Sequence, residues 1–337
     1  MSLKIYRHKA PFTTERGVTL PELEIAYHTY GTLNETKSNV IWVCHALTAS
    51  SDVASWWSGL FGKGKTLDPK EYFIVCPNIL GSCYGTSGPE SFNPETHKLY
   101  GSSFPLITIR DLVQAHILLR KELGIQKIRL CLGGSMGGYQ VLEWAVLEPA
   151  LFEKLFLIAT GAAESAWGIA IHTAQRLAIE ADAGWNSDRT GAGAAGLKAA
   201  RAIGMLTYRN YAAFVAGQSD PEPRLDGYRA ESYIQYQGDK LVRRFSAKCY
   251  YLLTQAMDSH HLARGRGKIE DVLRNILTDT LIAGVKSDLL CPTSEQKFLV
   301  EHLPHAIYRE IDSPYGHDGF LIEWEQLSEM IGKFLNS

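Results

Sequence analysis

The chain has 337 residues, 45% of them hydrophobic and 21% charged, a balance that buries a sizeable core and excludes disordered, collagen-like and small disulfide-scaffold proteins. Lys+Arg number 34 against 36 Asp+Glu, a formal charge of -2, so there is no basic field for general nucleic-acid binding and a small-molecule partner is expected. At roughly 150 residues per domain, the length allows about two units, or one large unit with an insertion.

Met1 to His8 carries no apolar run behind a basic start, and no stretch approaches the roughly 18 apolar residues of a membrane helix. The six cysteines (Cys44, Cys76, Cys83, Cys131, Cys249, Cys291) are scattered without a C-x-x-C pair. These features predict a cytoplasmic protein with neither a disulfide framework nor a metal site. Short apolar runs then alternate with longer amphipathic ones, the pattern of an α/β protein with a mostly parallel central sheet flanked by helices. Strands are expected at Val40–Cys44, Tyr72–Cys76, Ile128–Leu132, Leu155–Ala159 and Thr280–Gly284, with a late edge strand at Ala306–Ile311. Helices are expected over Thr108–Leu123, Met136–Leu147, Ser294–His302 and Leu321–Leu335. Between Ala162 and Leu277 strand-like runs nearly vanish and Ala, Gly, Arg and Tyr dominate. A helical block between two strands of one sheet is an insertion, so the expected organisation is a core of residues 1–161 and 278–337 with a helical lid over 162–277.

The sharpest local signal is Gly133-Gly134-Ser135-Met136-Gly137-Gly138, a G-x-S-x-G placed between a strand and a helix. A reversal that tight leaves no room for β-carbons beside the serine, lifts its hydroxyl above the strand ends and aims the next amides at developing negative charge. A serine nucleophile needs a base and an orienting acid. In the chain order Ser, acid, His, the polar loop Ser313–Phe320 offers His317, and the loop past the strand at Thr280–Gly284 offers Asp288. His302 and His305 read better as residues at a helix end, and Asp312 lies too near His317 in sequence. An oxyanion hole would combine the amide of Met136 with that of Leu47, in His45-Ala46-Leu47-Thr48 after an early strand. His45 itself reads as a structural histidine.

Together with the elbow, the segments His45–Thr48, Asn78–Pro89, Tyr100–Pro105, Thr108–Asp111, Leu142–Ala145, Met205–Arg209, Ala263–Gly267 and Tyr315–Asp318 give the chain a resemblance to the homoserine O-acetyltransferase family of the α/β-hydrolase fold. The resemblance implies a ping-pong acyl transfer from acetyl-CoA to homoserine in methionine biosynthesis, with no permanently bound cofactor. Ser135 would be the nucleophile, His317 the base and Asp288 its orienting acid. It further implies that Arg209 holds the amino-acid carboxylate, that Asp318 receives its ammonium with Tyr208 nearby, and that the protein is a homodimer assembled through the helical lid. Arg209 equally suits a surface ion pair, and Asp318 a helix cap. The run Arg264-Gly265-Arg266 could meet CoA phosphates or form a solvated turn. Tyr139, Ala49 and Asp52 depart from the family's common pattern. Succinyl-CoA as donor, serine as acceptor, a plain esterase and a non-catalytic binding protein remain the competing readings.

Overall fold

The computed structural model describes every residue except Met1 and Asp188. Its principal sheet has eight strands: β1 (Lys4–His8), β2 (Leu23–Tyr30), β3 (Val40–Cys44), β4 (Phe73–Pro77), β5 (Ile128–Gly134), β6 (Phe152–Ile158), β7 (Asp279–Val285) and β8 (Ala306–Ile311). They lie in the order β1-β2-β4-β3-β5-β6-β7-β8. β1 and β2 pair antiparallel, as do β2 and β4, and every other pairing is parallel. Central β3 reads Val-Ile-Trp-Val-Cys with every residue buried, as a parallel strand covered on both faces requires. Edge strand β8 is buried only at Ile311, which matches its place at the end of the sheet.

Helices cover both faces. α1 (Ile109–Glu122), α2 (Met136–Leu147) and α9 (Thr293–His302) bury Leu112, Val141, Leu142 and Leu299 in one core cluster. α10 (Trp324–Leu335) buries Leu327 and Ile331 in the cluster on the other side. Each such side chain contributes about 1.5–3 kcal/mol by leaving water. α1 starts with a capping box: the Thr108 hydroxyl accepts from the Asp111 amide, and the Asp111 carboxylate accepts from the Thr108 amide at 2.8 Å. That satisfies two of the otherwise orphaned donors of the first turn.

Between β6 and β7 the chain leaves the sheet and forms α3 (Ala166–Glu180), α4 (Ala194–Tyr208), α5 (Tyr211–Gln218), α6 (Arg229–Val242), α7 (Ala247–Asp258) and α8 (Ile269–Arg274). Two sequence expectations needed correction. The expected strands omit β1 and β2, neither of which presents a continuous apolar run: β1 is a largely exposed edge strand, and β2 is interrupted by Glu24 and His28. The helix expected over Leu321–Leu335 is broken: a short turn at Gly319–Ile322 is separated from α10 by Glu323, with φ -82° and ψ 49°. In a continuous helix the Phe320 carbonyl would accept from Trp324; here it accepts from the buried Trp57 indole N–H at 3.0 Å.

Candidate active site

Ser135 sits between β5 and α2 with φ 55° and ψ -128°. Few non-glycine residues tolerate that conformation, and it costs on the order of 1–3 kcal/mol wherever the surroundings impose it. The surroundings are explicit. The Ser135 amide donates to Ile158 O at 3.0 Å, and its carbonyl accepts from Thr160 Oγ1 at 3.0 Å. A β-carbon on Gly133 would lie 2.4 Å from the Gly137 carbonyl, and one on Gly137 only 2.2 Å from Cys44 O. The glycines are thus required by the close approach of the turn to α2 and β3, and the serine lines a cavity of about 540 Å³.

His317 lies on the same cavity wall, in a single 3-10 turn at Gly316–Asp318. Its Nδ1 donates to Asp288 Oδ2 at 2.7 Å, and both side chains are buried. The other oxygen of Asp288 accepts the amides of Leu290 at 2.8 Å and Cys291 at 2.9 Å. Three N–H groups therefore hold the carboxylate, and the carboxylate fixes the imidazole tautomer that leaves Nε2 free to accept a proton. Among the described residues Ser135 Oγ makes no hydrogen bond to His317. Catalytic contacts of this kind often close only once substrate is bound. Cys291 completes a cluster with Asp288 and His317 whose ligand atoms lie within 4.8 Å. Burial, followed by the nearby Asp288 charge, pushes its thiol well above the ordinary value.

Burial alone would lower the His317 pKa, but the Asp288 charge and hydrogen bond, with Asp318 and Glu164 adding to them, raise it above its ordinary 6.5. A base must be neutral to act, so the acid limb of kcat/KM for an acyl donor is expected to have its midpoint above 6.5. A pH profile with the midpoint below that value would remove His317 as the base. Stability runs the opposite way. The contribution of the protonated ring is fully present below the unfolded value and is lost as pH rises through the folded one.

Leu47 lines the cavity with Ser135, and Met136 follows the serine in the chain; both are buried, and among the described residues neither amide donates to a protein acceptor. Beside them the buried His45 is occupied structurally. Its Nδ1 bonds Ala46 O at 2.9 Å and its Nε2 accepts the Ile79 amide at 3.1 Å, while burial lowers its pKa to about 4. It braces the loop that carries Leu47.

Tyr208 and Asp318 line the cavity with Ser135 and His317, and the Tyr208 ring lies 5.8 Å from the His317 ring. Arg209 is placed differently. It terminates α4 and reaches Asp318, Nε to Oδ2, at 3.2 Å, without lining the cavity wall. Burial raises the Asp318 pKa more than Arg209, His317 and Arg201 lower it. Of the two guanidinium groups on the wall, Arg244 and Arg201, the one beside Tyr208 is Arg201, which sequence reasoning missed. Its carbon lies 5.3 Å from the Tyr208 ring centre. The spacing from Arg201 to Tyr208, two helical turns on one face, was the signal that could have found it. Lys240, Arg244, His172 and Gln175 also line the cavity. Trp56 stands on its wall, whereas Trp57 is buried behind it, stacked at 5.0 Å. Tyr139 is off the wall: it stacks on His260 at 3.9 Å and donates to Glu164 at 3.1 Å. Arg264 and Arg266 are internal ties. Arg264 pairs with Glu15 at 2.7 Å, and Arg266 donates to the buried Glu143 at 2.9 Å.

Comparison with known proteins agrees with this fold. Residues 39–323 match the α/β hydrolase fold family. The homoserine O-acetyltransferase of Chlorobium chlorochromatii is 47% identical over 337 residues, covering 98% of this chain and 94% of its own. The chain belongs to the homoserine O-acetyltransferase family. The crystal structure of the homoserine O-acetyltransferase from Bacillus anthracis superposes with a TM-score of 0.92 at 26% identity, covering 100% of this chain and 98% of that one. Esterase E22 superposes almost as well, at 0.91 with 23% identity and 99% of each chain. At that identity the likeness concerns the fold alone, and fold does not separate transfer from hydrolysis. Membership in the family makes the protein an acyltransferase-type enzyme with small-molecule substrates, and none of its described helices is long and apolar enough to cross a membrane.

Proposed function

We propose that the chain transfers an acetyl group from acetyl-CoA to the side-chain hydroxyl of homoserine, through an acyl-enzyme on Ser135. The observation that carries this reading is the buried Asp288–His317 pair beside Ser135 in a cavity that also holds Asp318 and Arg201. Ser135 Oγ attacks the thioester carbonyl as its proton passes to His317 Nε2, and the amides of Leu47 and Met136 hold the tetrahedral oxyanion, at about 3 kcal/mol per donor. The C–S bond breaks, the proton returns to the departing CoA sulfur, and the acetyl group stays on Ser135. Homoserine then gives its hydroxyl proton to His317, attacks the ester, and leaves as O-acetylhomoserine while Ser135 recovers the proton. Asp318 meets the substrate ammonium, and Arg209, with Arg201 close by, meets the carboxylate, for which a planar guanidinium offers two parallel donors. Tyr208 packs against the imidazole and the acceptor. No cofactor beyond the acyl donor takes part.

The helices from Ala166 to Arg274 serve as the lid that keeps water from the acyl-enzyme. The exposed apolar side chains Leu206, Tyr211, Val215 and Tyr236 on α4–α6 support a homodimer through this block. Six free cysteines suit a cytoplasmic setting. The test is release of CoA thiol from acetyl-CoA or succinyl-CoA, with and without homoserine or serine. Release that depends on homoserine and acetyl-CoA is expected. Release indifferent to any amino acid would make water the acceptor and the protein an esterase.

A further inference from the structure

Behind the serine turn, buried polar groups form a hydrogen-bonded chain that the chemistry above does not use. Gln140 lies in α2, one turn past Met136, and is fully buried. Its Nε2 donates to Met136 O at 3.0 Å and to His45 O at 3.1 Å, and its Oε1 accepts from His116 Nε2 of α1 at 2.8 Å. The two carbonyls belong to different elements. Met136 opens α2, whereas His45 follows the end of β3 and begins the loop that carries Leu47. Two carbonyl oxygens cannot bond each other, and an amide with two N–H donors can join them.

Those two acceptors also fix which way round the amide sits, because a reversed one would set Oε1 against both oxygens. Oε1 therefore faces His116. Burial takes the His116 pKa down to about 4, so the ring is neutral, with its one N–H on Nε2. Its Nδ1 is buried and has no partner among the described residues. Trp144, stacked at 5.6 Å, and Trp42, perpendicular at 6.0 Å, hold the ring in place. One residue away on each partner, the turn and β3 already touch: a β-carbon on Gly137 would lie 2.2 Å from Cys44 O. Steric contact limits how near they come, and the Gln140 bridge keeps them from parting.

We infer that Gln140 is a positioning residue for acyl transfer: its bridge from Met136 O to His45 O sets the separation of the Met136 and Leu47 amides that receive the oxyanion. The inference rests on the oxyanion-hole reading above. Gln140 does not line the cavity and acts only through these two residues.

The test uses Gln140→Met, which keeps the bulk of the side chain and removes both donors. In single-turnover mixing with p-nitrophenyl acetate, the maximal acylation rate should fall about ten- to a hundredfold at an unchanged half-saturating concentration, because only the oxyanion contacts are disturbed. Inhibition by methaneboronic acid, whose tetrahedral adduct on Ser135 sets an oxygen among the same amides, should weaken by a similar factor. His116→Phe keeps the ring on Trp144 and frees the amide; the same split, smaller, is expected, and it serves if Gln140→Met does not fold. Val141→Ala, equally buried in α2 and outside the bridge, is the stability control and should lower Tm without slowing acylation. Parent-like acylation in the folded bridge variants would overturn the inference. So would an equal slowing in Val141→Ala, or boronate affinity that holds while acylation slows. A parent acylated by the ester and not by acetyl-CoA would overturn the transferase reading, and the ester rates would still decide the role of Gln140.

Discussion

Replacing Ser135 with alanine is expected to lower kcat roughly 10⁴- to 10⁶-fold and to abolish acyl-enzyme formation, as removal of a serine nucleophile does in enzymes that use a Ser-His-Asp set. The fold should survive. The contacts that hold the residue use its backbone, from Ser135 N to Ile158 O and from Thr160 Oγ1 to Ser135 O, and alanine keeps both. The check is intact-mass analysis after mixing with acetyl-CoA, beside the steady-state rate. Retained acylation at full rate would mean that another group is the nucleophile. Ser135→Gly should lose activity equally yet be at least as stable as the parent, because glycine takes φ 55° without the side-chain penalty. The pair of variants separates chemistry from strain: both lack the hydroxyl, and only one is relieved.

Gly137→Ala should be among the most damaging conservative changes to the fold, at about 3 kcal/mol or more, the upper range for a methyl forced into packed surroundings. The new β-carbon would lie 2.2 Å from Cys44 O, and neither partner can yield: one is the first turn of α2, the other the end of central strand β3. Separation of the two would also move the loop bearing Leu47 away from Ser135, so activity should fall with stability. Gly217→Ala in α5 is the control, because its β-carbon would meet nothing within 4 Å and alanine favours the helix. Denaturation followed by tryptophan fluorescence and far-ultraviolet dichroism measures both. A Gly137→Ala midpoint equal to that of Gly217→Ala would show that the elbow has slack the structure denies it.

The legible parts of the fold were those with a local cause. β3 announces itself as a continuous apolar run, and β5 as one interrupted only at Arg129, because both faces of a central parallel strand are covered. α1 is marked by its capping residues and buried stripe, and the elbow by glycines that steric contact demands. β1 escaped notice because an exposed edge strand needs no apolar pattern, and the break at Glu323 because its cause, the Trp57 indole, is 263 residues away from Phe320 in sequence.

The candidate site divides in the same way. Ser135 could be named from its own neighbours, and Asp288 and His317 from the loops that follow late strands. No local feature required Asp288 to meet His317 at 2.7 Å, Arg209 to turn onto Asp318, or Arg201 to face the cavity. The same holds for Arg264 and Arg266, which look like a free basic run in sequence and are tied to Glu15 and Glu143 in the fold. By itself, then, the sequence determined a parallel α/β core, a strained serine turn and the residue types able to serve it, because steric exclusion and hydrophobic periodicity act over a few residues. Which charges are paired, and which stand open on a cavity wall, was decided only by the tertiary structure. Ion pairs depend on distance in space, and their partners here lie up to 249 residues apart along the chain.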